Sequence, residues 1–453
     1  MVSLRRKIFF YIFVLLFFIL SFYAITYAQG YKIKLTFPPN LSMVQRTGMI
    51  LIKSDPAEAL VYLNNQAQKS FFKEYLFDDP GYYKTPAKIK HLLPGEYEIT
   101  LKKDGYHPWQ ERIRVYSGKI TTLSDIHLFK EELPLKISEY NFRKENLSPD
   151  KKYLVNPRKR IIFDLENQKE IEFDLKKEVL KKENNSIKWS PRSNCFFWNQ
   201  ELIYPGNPGK NKDLSTYFSE KTEKTEWGEK GEKIYYQGEN HFKSLNLDNL
   251  KSQKIAEEKY SDFLIKDDYL FILKNEQNNR LKVKNLNSEK AYQSVRLPRS
   301  SGYEIKNFKN GLIHIYDQEY KILYLIQFTP PLLNLKETVN NIKYYNWLNE
   351  KKMIYGNNFE IWSLDLKKRQ KKLHGRISEK IENLITHPES NNIIYYTNKN
   401  IKIIDLIKEN KINIIELTEM NQISELLKGP GKNDIYFNGE IGHQSGLYKL
   451  NIK

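Results

Sequence analysis

Residues 84–109 read KTPAKIKHLLPGEYEITLKKDGYHPW. Leu93-Pro94-Gly95 and Asp104-Gly105-Tyr106 are turn signals, and between them Tyr97, Ile99 and Leu101 alternate with Glu98 and Thr100. That alternation has the period of a strand with one face inward. Gly95 and Gly105 suit turn positions of positive φ, and Pro86 and Pro94 preset the chain at strand entries. These are folding roles. The stretch is ordered without carrying chemistry.

The pattern extends in both directions. Met49-Ile50-Leu51-Ile52 and Ala59-Leu60-Val61-Tyr62-Leu63 read as strands, separated by the turn Ser54-Asp55-Pro56 and ended by Asn64-Asn65. Further strands fall at 111–116 and near 120–128. Short strands with frequent turns predict a small all-β sandwich over residues 48–128.

SDPAEALVYLN, TP, LLPGEYEITLKKDGY and RIRVYSGK, in that order, resemble a PEGA domain. The motif positions are Pro56, Ala59, Thr85, Pro86, Pro94, Gly95, Tyr97, Gly105 and Tyr106. The resemblance implies a transthyretin-like sandwich of bacterial and archaeal surface proteins, a non-catalytic module. The chain departs from the family twice. Pro56-Ala57-Glu58-Ala59 lacks the Gly of Pro-Glu-Gly-Ala, and residues 66–83 are longer than usual. That insert carries Phe71, Phe72, Tyr75, Leu76 and Phe77, either a contact patch on an extended loop or a local helix packed inward.

From residue 129 to 453 a repeat takes over. Polar turns between apolar strands recur at Ser148, Ser190, Gly228, Asp267, Lys309, Asn349, Pro388 and Gly429, spaced by 38 to 42 residues. That period predicts propeller blades. Ser148-Pro149-Asp150-Lys151 and Trp189-Ser190-Pro191 resemble the blade turns of TolB-like and WD-type propellers. Eight turns favour eight blades; seven remains if one middle unit is an insertion. The last unit is one strand short, and residues 133–138 are placed to supply it, pairing the two ends and removing an exposed edge. Residues 205–226 read as a long polar loop.

Before the sandwich, Arg5, Arg6 and Lys7 precede 21 uncharged residues, 8–28. At helical rise these span about 30 Å, a bilayer's hydrocarbon thickness, and the basic flank keeps the N-terminus cytoplasmic. The expectation is a single-pass signal anchor over residues 1–30, a linker or lead-in strand over 31–47, and the bulk of the chain outside the cell. Cleavage after Ala28 is the alternative.

The net charge is +18. An acidic partner is one reading: nucleic acid, anionic lipid or wall polymer. A Lys- and Asn-rich coding bias is the other. Basic residues are spread along the chain among acidic ones, and Arg is scarce beside Lys, which argues against phosphate reading by nucleic-acid contacts. The single cysteine, Cys195, excludes an intramolecular disulfide and reads as a buried small hydrophobe. Neither HExxH, CxxC, a phosphate loop nor a GxSxG elbow occurs, and Ser70/Lys73 and Ser148/Lys151 match Ser-x-x-Lys only as background. No cofactor or metal is expected. The expectation is a non-enzymatic, membrane-anchored scaffold of the bacterial cell envelope, binding protein or wall polymer. A propeller lyase or glycosidase with a site at the central channel is the alternative.

Overall fold

The computed structural model describes residues 4–33, 44–69, 81–174, 187–218, 222, 224–238, 241–274, 279–288, 293–387, 389–390, 392–405 and 413–453. The insert aromatics Phe71, Phe72, Tyr75, Leu76 and Phe77 lie outside them. The chain is mostly strand with one N-terminal apolar helix, and divides into two units, Met1–Glu132 with Lys453, and Leu133–Ile452.

The first unit begins with the helix Leu4–Ala28. Its window Arg6–Ala28 has a mean hydropathy of 2.7, and none of the window is buried. The helix is long and apolar enough to cross a bilayer. Its C-terminal end is tied down. Gly30 O accepts from Thr47 N at 2.8 Å and from Thr47 Oγ1 at 2.7 Å. Beside this joint, Tyr31–Ile33 pairs antiparallel with Val44–Arg46. The lead-in residues are thus strands rather than free linker where they are described.

The sandwich has two sheets. Gly48–Asp55 is flanked antiparallel by Ala87–Leu92 and parallel by Ile120–His127. Gln66–Ala67, Leu60–Leu63, Gly95–Lys102 and Trp109–Val115 form the second sheet in that order. Between the sheets lie Ile50, Ile52, Val61, Ile99, Leu101 and Trp109, all buried. Burying a side chain of this size removes about 1.5–3 kcal/mol of apolar exposure cost. Asn64 and Asn65 both take positive φ, 49° and 64°, and so form the tight hairpin turn that ends Leu60–Leu63.

The second unit is a succession of eight antiparallel sheets among the described residues. Of the turns marked in the sequence, Ser190, Gly228, Asp267, Asn349 and Gly429 fall between two successive strands of one sheet, Lys309 ends such a strand, and Ser148 precedes the first strand of its sheet; Pro388 itself lies outside the described residues. Seven sheets have four strands and the first has three, Tyr153–Asn156, Ile161–Asp164 and Lys169–Glu172. Where its leading strand would stand, a 3-10 turn, Lys144–Asn146, and one bridge, Leu147 to Leu154, take its place. Residues 205–226 are not one loop. They contain Lys212–Asp213, the outer strand of the second sheet, and the start of Lys224–Trp227, the first strand of the third. These strands are short and polar, so neighbours rather than an apolar pattern fix them.

Leu135–Ser138 pairs antiparallel with Gln444–Asn451 and completes the last sheet. The fit is close. A Cβ on Gly446 would meet Ser138 O at 2.1 Å. Gly446→Ala is therefore expected to displace Leu135–Ser138 and to cost on the order of 2 kcal/mol. Hydrogen exchange should show faster exchange in Leu135–Ser138 and Gln444–Asn451, while the sandwich amides keep their protection.

Candidate functional site

In the sandwich, the motif residues act on the backbone. Thr85 is fully buried; its Oγ1 lies 2.6 Å from Ser54 Oγ and accepts from Ala59 N at 3.1 Å. Thr85 O accepts from Glu58 N, and Thr85 N donates to Ala59 O. Ala59 is buried in the core, and Pro56 follows a cis bond, as does Pro86. Tyr97 OH donates to Leu93 O at 2.9 Å, closing the turn that contains Pro94. Tyr106 packs against the core, and Gly105 takes φ 76°. Gly95 departs from expectation: it has no positive φ, and nothing lies within 4 Å of a Cβ placed on it. His91, with φ 58°, carries the left-handed residue of this turn region instead. The position where the family motif has Gly is Glu58, and its φ is 67°.

Several charged residues of the second unit lie on the first strands of its sheets. These lie side by side along the row from Lys188–Trp189 through Lys224–Trp227 and Asp262–Lys266 to Tyr303–Lys309, and from Tyr344–Trp347 through Asn383–Thr386 to Gln422–Lys428, which meets the 3-10 turn Lys144–Asn146. Indoles stitch part of the row. Trp189 Nε1 donates to Asn146 O at 2.9 Å, and Trp227 Nε1 donates to Lys188 O at 2.8 Å.

On one side of this row, charges cancel. Lys188 Nζ bonds Glu226 Oε1 at 2.9 Å, and Lys224 reaches both Glu226, at 3.6 Å, and Asp262. Asp262 Oδ2 also accepts from Ile305 N at 2.6 Å. Glu304 holds Lys306 at 2.7 Å. On the other side cations predominate. Burial pushes Lys428 down to about 8, helped by the fields of Lys151, Lys309 and Lys144. Lys428 Nζ donates to Thr386 Oγ1. Lys144 is also lowered by burial, against the pull of Glu425, whose Oε2 accepts from Lys144 N at 3.1 Å.

The buried histidines His314 and His374 are held low and act as structural groups. His314 has no exposure and is pushed down to about 4 by burial, with Lys309 adding to the shift. Its Nδ1 lies 3.2 Å from Tyr345 OH, and its ring stacks on Trp347. His374 Nε2 lies 2.7 Å from Ser363 Oγ, a hydroxyl–imidazole pair. Burial holds His374 down at about 4, and both residues are closed to solvent. Such a pair would be a nucleophile and base only if a substrate reached it. Spacing along the sequence did not reveal it, because cross-strand register brings the two together. Among the described residues no cluster of His, Cys, Asp and Glu is arranged to hold a metal ion. Cys195 is buried, and burial raises its thiol pKa.

Residues 77–131 match the PEGA domain family. That segment starts downstream of Pro56–Ala59 and covers four of the sandwich strands, Ala87–Leu92 and Ile120–His127 of the first sheet and Gly95–Lys102 and Trp109–Val115 of the second. No curated protein sequence matches the chain. Solved structures similar to the chain include a eukaryotic initiation factor, at 11% identity and a TM-score of 0.48, over 79% of this chain and 97% of that one. The WD40 domain of Neurospora crassa Pan2 is similar at 8% identity and a TM-score of 0.36, over 58% and 87%. Kluyveromyces lactis Hsv2 is similar at 11% and 0.34, over 48% and 69%.

Two predictions follow from these local geometries. Glu58→Gly relieves a left-handed non-glycine residue, at the cost of a looser unfolded chain, and should stabilise the PEGA-like unit by roughly 0.5–1 kcal/mol in urea unfolding. Lys428 has a folded pKa below its unfolded value. Between about 8 and 10.5 the unfolded chain therefore binds more protons, and stability contributed by this group rises with pH. Lys428→Met should be more stable than the parent at pH 7 by on the order of 2 kcal/mol. The difference should shrink by pH 10; melts of both proteins at the two pH values check it.

Proposed function

We propose that this chain is a non-enzymatic scaffold of the bacterial cell envelope. Residues 8–28 anchor it in the membrane as a single pass, with the N-terminus cytoplasmic. The PEGA-like sandwich and a TolB-like or WD-type propeller of eight blades lie outside, and the propeller binds an anionic wall polymer. The observation that carries this reading is a group of four lysines in the second unit beside which one carboxylate, Glu425, acts among the described residues. Lys428 and Lys144 are both lowered by burial; Lys151 and Lys309 add to the field at Lys428, and Glu425 is the carboxylate that acts on Lys144. A partly buried lysine without a counter-ion is costly in the free protein. An anionic ligand removes that cost on binding. An envelope protein is the less favoured partner, since matched charge pairs occupy the other side of the row. A nucleic acid is disfavoured by the same topology that places the unit outside the cell.

Among the described residues, the engagement of the carboxylates along the row supports a binding role over an enzymatic one. Glu226, Asp262 and Glu304 hold lysines or a backbone amide, and the Ser363–His374 pair is buried.

The full chain in detergent should be retained on purified cell wall, and retained severalfold less on wall stripped of its anionic polymer. Lys151→Glu with Lys309→Glu should lower retention on intact wall, and added salt should do the same. Equal retention on stripped and intact wall would shift the reading to a protein or glycan partner. No retention on wall or on envelope proteins would remove it.

A further inference from the structure

The PEGA-like sandwich has two poles, set by its central strand Gly48–Asp55, eight residues and about 25 Å long. The Gly48 pole is joined to the apolar helix. Thr47 N and Oγ1 both donate to Gly30 O. Gly118 N donates to Thr47 O at 3.0 Å, so the turn at 116–119 stands two hydrogen-bond steps from the end of the helix. The ring of Tyr27, in the helix's last turn, stacks on His91 with centroids 4.1 Å apart and planes at 16°. His91 adjoins Leu92, which pairs with Gly48. The 116–119 turn, the 91–95 turn and the 31–33/44–46 pair therefore share the level where the helix leaves its apolar window.

The chemistry of this pole differs from that of an ordinary solvated turn. Tyr116, Ser117, Gly118, Lys119 and Ile120 are all exposed in succession, Tyr116 at 52% and Ile120 at 58%. Two cations flank the Tyr116 ring: Arg114, with its guanidinium 5.8 Å from the centroid, and Lys119, with Nζ at 5.6 Å. Arg46 lies beneath the turn. Its carbonyl accepts from Ser117 Oγ, and a Cβ on Gly118 would touch its Nε at 2.8 Å. Lys32 and Lys90 are exposed, and their charges, after burial, hold the neighbouring His91 below its ordinary pKa. Glu96 faces Arg114 across the strands and is the acidic side chain of this register. An exposed tyrosine and isoleucine amid five cations match the composition of a membrane interface. There aromatic rings settle at headgroup depth, and each basic residue gains from anionic lipid.

We propose that this pole is a lipid-headgroup face. Arg46, Arg114 and Lys119 engage phosphates of anionic lipids, and Tyr116 and Ile120 enter the interface beside the helix. The inference rests on the reading of residues 8–28 as a membrane anchor. It adds that the sandwich lies on the bilayer instead of standing off it on a tether.

The test uses the full chain with Cys195→Ala, carrying an environment-sensitive fluorophore at one introduced cysteine. Ser117→Cys reports the proposed face, Asp104→Cys the opposite pole, and Phe18→Cys the middle of the helix. Each is reconstituted in vesicles of phosphatidylcholine, with or without phosphatidylglycerol, containing a headgroup-level quencher or an acyl-chain quencher. In phosphatidylglycerol vesicles the 117 label should be blue-shifted and quenched at headgroup level, and the 104 label should remain as in water. Arg114→Glu with Lys119→Glu, both exposed, should abolish the shift at 117 and leave the 18 label unchanged. If the 117 label behaves like the 104 label while the 18 label is quenched from the acyl chains, the anchor stands and the headgroup face is wrong. If the 18 label is not quenched either, the anchor reading fails and the face with it.

Discussion

The second unit depends on one backbone pairing, that of Leu135–Ser138 with Gln444–Asn451. Without it the last sheet would end on an eight-residue strand with a row of unpaired amides and carbonyls. The pairing brings further contacts with it. Phe142 N donates to Asn438 Oδ1, and Asn438 Nδ2 donates back to Phe142 O at 2.7 Å, across a separation of 296 residues. Tyr436 OH donates to Leu165 O, and one apolar cluster takes Phe142, Leu154 and Phe163 from the start of the unit with Leu427, Tyr436 and Leu447 from its end. These contacts join the unit's two ends, so they have the largest loop-closure entropy to overcome. Close packing at Gly446 compensates by making the final strand fit only one partner.

Much of this was legible in the sequence, and the reasons are local. A polar turn between two apolar strands is a short-range signal, so the repeat positions could be marked from Ser148 to Gly429 without knowing how the strands pair. The apolar run at 8–28 is equally local. The spare strand at 133–138 followed from counting strands against a four-strand unit. Pairings set by register were not legible. Gly48–Asp55 runs parallel to Ile120–His127, a partner separated by the whole of the second sheet. The Ser363–His374 pair exists because adjacent strands bring the two side chains together. Gly95 misled because glycine in a turn suggests positive φ, whereas the left-handed residue of this region is His91, at the end of the preceding strand. Residues 205–226 misled because polar outer strands carry no alternation of their own.

The titratable groups of the second unit differ in their access to solvent and in their neighbours. A catalytic group needs a shifted pKa and an approach for substrate. His314 and His374 have the shift, but burial produces it and also denies the approach. Burial alone disfavours charge, and so it yields neutral imidazoles that hydrogen-bond to Tyr345 and Ser363. Lys428 differs because it is itself a lysine, lowered by burial and then by the repulsion of three other lysines. Repulsion is relieved by an anion and not by packing. The same force that makes this side of the row unfavourable in the free chain makes it receptive to negative charge.

The PEGA signature and the orientation of the sandwich are separate pieces of information. Leu93-Pro94-Gly95 and Asp104-Gly105 bracket the strand Gly95–Lys102, so they lie at opposite poles. The motif does not say which pole faces the helix. Thr47 decides it. A helix ends with carbonyls that lack intrahelical partners. Past the last turn, Gly30 directs its carbonyl at both donors of Thr47, immediately before the central strand starts. One threonine therefore converts a flexible exit from the helix into a fixed joint, and places the Leu93-Pro94-Gly95 turn on the helix side. It also sets the chemistry of the two ends. Arg46, Arg114 and Lys119 surround the joint, whereas Asp55 lies at the other end of the same strand and Asp104 in the turn whose Gly105 O accepts from Glu131 N. The sandwich has two poles, and residues outside the motif positions give those poles different side chains.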